Sequence, residues 1–311
     1  MCIRDRVDAL LVVGARFGLF TGGRHGTPVA PGVPVAQIDL HAPEFGRLRE
    51  VRIPVLADAR EALHALADAA VGIDWPDRSA WAATATGLKH LAGSLYGAPD
   101  PAATPVHPYH AVAAIAAAAP PETIYVVDGG EASAWSHMVL RASASWQLIG
   151  AGYHGCLGVG PGMAIGAASA HPDKRVLQIT GDGAIGFHIQ GFETMARHGL
   201  PVVTVILNNR LWGMSAHGQD LVYGREQRVI CSLPDTPYET VAAAFGCHAE
   251  RVERLAELAP ALRRALDSGR PACINVLIDP DEMHPSMPAM VGADNPAENE
   301  IMIPYYDNIR L

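Results

Sequence analysis

Asp182 stands between Gly181 and Gly183, and Asn209, the second residue of the pair Asn208-Asn209, follows it by twenty-seven positions. A carboxylate oxygen and an amide oxygen, joined by a nearby backbone carbonyl, make a set of hard donors. Such a set suits Mg2+, which prefers six oxygens and commonly takes the remainder from water and a diphosphate. The flanking glycines would let backbone approach the phosphates, and a helix amino end beside them would add N–H groups and a favourable dipole. An Asp-Gly turn alone is ordinary turn chemistry. It is the asparagine pair at this distance that turns the motif into a candidate ligand site.

The elements around these residues must bring them together. Arg175–Thr180 is a β-rich run that ends at the glycines, and Gly186–His198 carries Phe187, Ile189, Phe192 and Met195 at helical spacing. Gly199-Leu200-Pro201 stops the helix, and Val202–Leu207 is an unbroken apolar run, as expected of a strand buried on both faces. A strand–helix–strand unit of this length is a right-handed crossover between parallel strands. Asp182 and Asn209 then share the carboxyl edge of one sheet, where α/β proteins place their ligands.

The segment RVLQITGDGAIGFHIQGFETMARHGLPVVTVILNN resembles the cofactor signature of the thiamine diphosphate enzymes, in the acetolactate synthase/benzaldehyde lyase superfamily. The resemblance runs from GARFGLFTGG to RPACINV and is closest to benzaldehyde lyase, notably in those two segments and in WPDRSAW, NNRLWG and VAAAFG. It implies that Asp182, Asn209 and the carbonyl of Leu211 bind Mg2+, and that Gly181, Gly183 and Ala184 meet the diphosphate. It places the backbone of Gly130 and Glu131, after the strand Thr123–Asp128, at the same phosphates. The matching residue of benzaldehyde lyase is neutral, so the Glu131 side chain is expected to turn away.

Further roles follow from the same resemblance. Leu157, set in GCLGVG, would support the cofactor in its bent conformation, where related enzymes favour methionine. Plain core packing is the alternative. Ser133 takes the place of a tyrosine that lines the substrate cavity, which implies a roomier or more polar pocket. Trp212, Met214 and His217 follow the metal loop where that pocket should open. Met214 would narrow it, Trp212 could equally be core, and His217 could hydrogen-bond a carbonyl group or lie exposed on a loop, as could His154. Gly14-Ala15-Arg16-Phe17 resembles the edge where acetolactate synthases hold FAD. The continuation Gly18-Leu19-Phe20-Thr21 lacks their acidic residues and arginine, which implies no need for FAD.

The 311 residues allow two ordinary domains, and a formal charge of −9 with no basic run argues against nucleic acid as a partner. Five scattered cysteines lack any CxxC pairing and read as reduced thiols of a cytoplasmic protein, each a small buried residue. No spanning segment is evident, since Gly155–Ala170 is broken by five glycines and a proline and reads as a loop entering a buried helix. Met1–Arg6 has no periodicity and is expected to be a foreign start. A partial middle α/β domain is expected over 7–96, with strands at Val7–Gly14 and Val35–Leu40 and helices at Ala59–Val71 and Ser79–Leu95. A proline-rich linker should cover 97–107, a complete doubly wound diphosphate-binding domain 108–280, and an extended tail 281–311. In the second domain a helix is expected from Pro108 to Ala119, with strands at Thr123–Val127, Arg175–Thr180, Pro201–Leu207 and Ala272–Ile278.

Enzymes of the resembled superfamily have three α/β domains, so the chain reads as the carboxyl-terminal half of a longer enzyme. A short subunit whose first domain is another polypeptide is the alternative. The activating glutamate would come from that first domain, normally on a second subunit, which implies a homodimer or homotetramer. The leading expectation is a carbon–carbon lyase or carboligase acting on aldehydes or 2-hydroxy ketones. An acetolactate synthase-like transferase acting on 2-oxo acids, and a non-catalytic cofactor-binding fragment, are the alternatives. The isolated chain is expected to bind the cofactor weakly and to show no turnover.

Overall fold

The computed structural model describes residues 7–18, 29–30, 32–47, 49–87 and 91–288. The expectations for Met1–Arg6, for Leu19–Thr21 and for most of the tail lie outside them. The chain divides into two compact units, 1–93 with 288–311, and 94–287. In the first, strands β1 (Leu10–Val13), β2 (Val35–Asp39) and β3 (Ile53–Leu56) form a parallel sheet in that order. β1 is shorter than expected and half exposed at Leu11, so it is not a strand buried on both faces. β3 is unexpected because Pro54 argues against a strand; it is an edge strand, where a missing N–H is tolerated. Helix α1 spans Ala59–Ala69, capped by the Asp58 carboxylate on the N–H groups of Arg60 and Glu61. The helix expected over Ser79–Leu95 is described as α2 (Ser79–Gly87) and α3 (Leu91–Leu95).

The second unit is built on six parallel strands: β4 (Ile124–Val127), β5 (Leu148–Gly150), β6 (Val176–Gly181), β7 (Val202–Asn208), β8 (His248–Val252) and β9 (Ala272–Leu277). Their order is β5-β4-β6-β7-β9-β8. Alternate residues of each strand enter opposite layers. Tyr125, Val127, Leu177, Ile179, Val203, Val205, Leu207, Ile274 and Val276 face α4 (Pro108–Ala118), α5 (Glu131–Val139) and α11 (Leu255–Asp267). Ile124, Val126, Val176, Val202, Ile206 and Cys273 face α6 (Gly160–Ala170), α7 (Asp182–Phe187), α8 (Gly191–Arg197) and α10 (Tyr238–Ala244). Helices thus cover both faces, and the α/β doubly wound class expected from the sequence is observed.

Three differences concern the site. The helix expected over Gly186–His198 is two helices, α7 and α8. The break falls at His188, whose ring Nδ1 donates to the Gly158 carbonyl at 2.7 Å. The edge strands β5 and β8 were not expected: the first has three residues, and the second, His-Ala-Glu-Arg-Val, alternates without an apolar run. The segment 97–107 is laid along the second unit, where Val106 is buried and its N–H and carbonyl pair with Leu277 and Asp279 beside β9.

The chain runs β4–α5–β5 to one side and then β5–α6–β6 back to the other, so the sheet order reverses between β4 and β6. This switch point opens a crevice at the carboxyl ends of the two strands. Asp128, at the end of β4, fixes the near wall. Its carboxylate accepts the N–H groups of Gly129 at 2.6 Å, Gly158 at 3.2 Å and Gly160 at 2.8 Å. A Cβ on Gly160 would lie 2.6 Å from the Gln178 side chain and 2.8 Å from Asp128 Cβ, whereas one on Gly162 of the same helix meets nothing within 4 Å. Gly160→Ala is therefore expected to cost about 1–3 kcal/mol of unfolding free energy. Gly162→Ala should instead be neutral or stabilise by up to about 1 kcal/mol. Urea melts of the two variants check the contrast; equal effects would contradict this packing.

Candidate functional site

The strand ends at the switch point bring the predicted ligands together. Asp182 begins α7 directly after β6, and its residue is only 2% exposed. Oδ1 accepts the Gly183 N–H at 3.0 Å, while Oδ2 is buried without a hydrogen-bond partner. The hydroxyl of Tyr238 on α10 donates to the Asp182 carbonyl at 3.0 Å and fixes the backbone. Burial pushes the Asp182 carboxyl up to about 6, and the backbone N–H groups of Gly183, Arg210 and Leu211 offset part of that push. A buried acceptor with no donor is the observation expected where a cation belongs.

The loop after β7 faces it. Asn209 is buried, and its Oδ1 accepts the Leu211 N–H at 3.1 Å, which leaves that amide oxygen further acceptor capacity. Arg210 has φ 58°, a left-handed conformation uncommon for a residue with a side chain. It is held there by Asn208, whose Oδ1 accepts the Arg210 N–H at 3.1 Å, and by the Leu233 N–H, which donates to the Arg210 carbonyl at 2.7 Å. Asn208 is anchored in turn: its Nδ2 donates to Asn275 Oδ1 at 3.1 Å, and Asn275 Nδ2 donates to Glu239 Oε2 at 2.7 Å. The asparagine pair thus divides its work, Asn208 shaping the loop and Asn209 presenting an oxygen. Among the described residues no three His, Cys, Asp or Glu side chains are gathered as for a metal. A cation here would rest on one carboxylate with amide and carbonyl oxygens, a donor set that fits Mg2+ rather than a softer metal.

The other expected residues divide. Gly129 has φ 93°, and a Cβ there would lie 3.0 Å from the Gly181 nitrogen, so the β4 and β6 turns touch. Gly130 precedes α5 with Met214 packed against it. Gly183 has no room for a side chain, because a Cβ would lie 2.5 Å from the Trp212 ring. Gly181 has ordinary φ −88° and room for a side chain, and Ala184 is buried. Leu157 is not core; it is 37% exposed in the loop that Asp128 and His188 hold at Gly158. Ser133 is half-buried with its hydroxyl 3.4 Å from His137 Nδ1.

His217 is a correction. It is neither on an exposed loop nor turned to a pocket: it lies within α9 (Gly213–Tyr223), 2% exposed, between Glu131 and the Pro280 carbonyl. Sequence reasoning also missed Asp128, Asn275 and Gln178. Each is a polar residue inside or ending an apolar strand run, which was the available signal.

Residues 128–276 match the family described as Thiamine pyrophosphate enzyme, C-terminal TPP binding domain. This part of the chain is similar to the cofactor-binding domain that the family describes. A "Probable acetolactate synthase" of Mycobacterium bovis is 39% identical over 182 residues, covering 58% of this chain and 33% of that one. A "Probable acetolactate synthase large subunit" of Methanocaldococcus jannaschii is 28% identical over 289 residues, 90% of this chain and 48% of its own. The "Acetolactate synthase isozyme 1 large subunit" of Escherichia coli is 27% identical over 290 residues, 92% and 50%. The chain spans a third to a half of the length of these relatives. No described helix is long and apolar enough to cross a membrane.

The raised Asp182 carboxyl has a consequence for stability. Its ordinary value is 3.8, so below about pH 4 both folded and unfolded chains hold the proton and no cost arises. As pH rises toward 6 the unfolded chain releases its proton first, and above that the metal-free fold carries a charge penalty of about 3 kcal/mol. Asp182→Asn should therefore be more stable than the parent at pH 7, by about 1–3 kcal/mol, with the gap closing toward pH 4. Urea midpoints of both proteins in metal-free buffer between pH 4 and 7 check this; a gap that does not widen with pH contradicts it.

Proposed function

We propose that the chain carries the diphosphate half of a thiamine diphosphate- and Mg2+-dependent enzyme resembling acetolactate synthase, a transferase acting on 2-oxo acids. The unpartnered, buried Asp182 oxygen facing the Asn209–Leu211 loop at the switch point carries this reading. Asp182, Asn209 and the Leu211 carbonyl would hold the ion, and the N–H groups near Gly130, Glu131, Gly183 and Ala184 would meet the diphosphate. When bound, the cofactor supplies a nucleophilic carbon that adds to a carbonyl and accepts the electrons left by the departing group. The relatives support 2-oxo acids as substrates better than the aldehydes and 2-hydroxy ketones of a lyase. The lyase is kept as second reading on the segments GARFGLFTGG, NNRLWG and RPACINV. A homodimer or homotetramer in the cytoplasm is part of the proposal.

Leu157 is an exposed apolar residue on a loop fixed at Gly158 by Asp128 and His188. In this reading it shapes the bound cofactor, not the core. The longest polypeptide the gene encodes, given Mg2+ and thiamine diphosphate, should consume pyruvate and release CO2. Cleavage of benzoin with pyruvate untouched would replace this reading with the lyase, and binding without any turnover would leave a cofactor-binding fragment. Asp182→Ala should abolish Mg2+-dependent cofactor binding in calorimetry, because it removes the carboxylate ligand; unchanged affinity would sink the metal assignment. Leu157→Ala should lower turnover with cofactor affinity kept, and with a stability change within about 0.5 kcal/mol, as for an exposed side chain. Lost affinity with turnover intact at saturating cofactor would reverse the assignment.

A further inference from the structure

A second carboxylate sits in the same cradle, and its environment is the opposite of Asp182's. Glu131 opens α5 directly after Gly130 and is 6% exposed. Both its oxygens lie 2.9 Å from His217 Nδ1, and Oε1 also accepts the His284 N–H at 3.3 Å. The other ring nitrogen of His217, Nε2, lies 2.9 Å from the Pro280 carbonyl. The Pro280 carbonyl can only accept, so Nε2 carries a proton; an ionised Glu131 can also only accept, and Nδ1 then carries a second one. That is the imidazolium.

We propose that Glu131 and His217 form a buried, fully ionised pair that positions the diphosphate cradle, bolting the amino end of α5 to α9 and to the segment after β9. The three pieces it joins are the turn that carries Gly130, the helix that follows the metal loop, and the chain at Pro280–His284. Two further observations support it. Gly213, which opens α9, has no room for a side chain because Glu131 Oε2 would lie 2.7 Å from its Cβ, so the carboxylate and the start of α9 are in close contact. Burial alone would lower the affinity of His217 for its proton; the hydrogen bond and charge of Glu131, the Pro280 carbonyl and the charge of Asp220 outweigh it and raise the ring above its ordinary value. Asp220 is itself paired with Arg228, and the facing His284 is driven down to about 4 by burial and is neutral. His217 is then the cation that offsets Glu131.

The pair also has an electrostatic role, which rests on the diphosphate reading above. A bare carboxylate beside Gly130 would repel an anionic ligand, whereas one matched by an imidazolium leaves the helix amino end available to it. Glu131 and His217 are in this sense positioning residues for the cradle.

Nitrogen-15 NMR of the His217 ring in the cofactor-free chain is the first test. Both ring nitrogens should remain protonated above the pH at which an ordinary histidine, at about 6.5, loses its second proton, and in Glu131→Gln that proton should be lost at a lower pH than in the parent. One bare ring nitrogen at pH 7, or a titration unmoved by Glu131→Gln, overturns the ionised pair. The second test is hydrogen exchange at the Ala134 amide, which closes the first turn of α5 on the Gly130 carbonyl, and at the Ala216 amide, which closes that of α9 on Trp212. His217→Gln strands the carboxylate and should speed both by about tenfold or more, with recovery in Glu131→Gln/His217→Gln. Unchanged exchange overturns the clamp. Where His217→Gln does not fold, Glu131→Gln and the double variant decide the same point. Calorimetry with thiamine diphosphate and Mg2+ should show affinity lost in His217→Gln and regained in the double variant. Affinity that ignores His217→Gln overturns the role in the cradle, whereas absence of binding by the parent contradicts the proposed function and leaves ring and exchange data to judge the pair.

Discussion

A buried carboxylate with one oxygen left unpartnered by the protein is the constraint on which this domain turns. Asp182 gains little from the metal-free fold: one oxygen is satisfied by Gly183, the other is not, and burial holds its proton on to about pH 6. A fold built for stability alone would place an apolar or amide residue there. Its neighbours instead fix it in place. Tyr238 locks its carbonyl, the β6 and β7 ladder sets Gly181 opposite Leu207, and the reversal of strand order beside β4 leaves space above it. In the proposed function, a bound ion would offset the cost of burying this carboxylate.

Polar side chains drawn from the sheet hold the loops that surround this point. Asp128 collects three backbone N–H groups and so sets the loop bearing Leu157 relative to β4. His188 secures the same loop from the other side, at the cost of a broken helix between α7 and α8. Asn208, supported by Asn275 and Glu239, holds Arg210 in a left-handed conformation that an arginine would not choose. Local strain of this kind costs of order 1–3 kcal/mol and persists only where the surroundings over-determine it. Here they do, and the result is a fixed backbone for the loop that carries Asn209 and Leu211.

Much of this was legible in the sequence because it is local. Central strands such as VVTVILN are continuous apolar runs, and the glycines, Asp182 and Asn209 are separated by one crossover, so spacing alone put them on one sheet edge. The edge strands β5 and β8 escaped because a short or half-exposed strand lacks that run. The steric need for Gly183 was not legible, since nothing in the local sequence announces the Trp212 ring above it. The Glu131–His217 pair was illegible for a stronger reason. Its members lie 86 positions apart, on helices whose juxtaposition depends on the whole sheet order. Glutamate beside a phosphate site looked like a departure to be excused, and histidine after a metal loop looked like a pocket residue. Only the fold shows that each explains the other.

The two carboxylates of the cradle then make sense together. Asp182 and Glu131 stand on the turns of adjacent strands, β6 and β4, and the Gly129 and Gly181 backbones touch between them. Two bare carboxylates there would set two negative charges against a ligand that is itself anionic, which one divalent ion could not balance. An internal imidazolium removes one of them from the account. The remaining charge is on Asp182, which has one oxygen without a protein partner, so in the proposed function it is there that a divalent cation would be held. In that reading, charge matching within the protein would select which carboxylate serves a metal, leaving Asp182 for the ion and Glu131 for the internal pair.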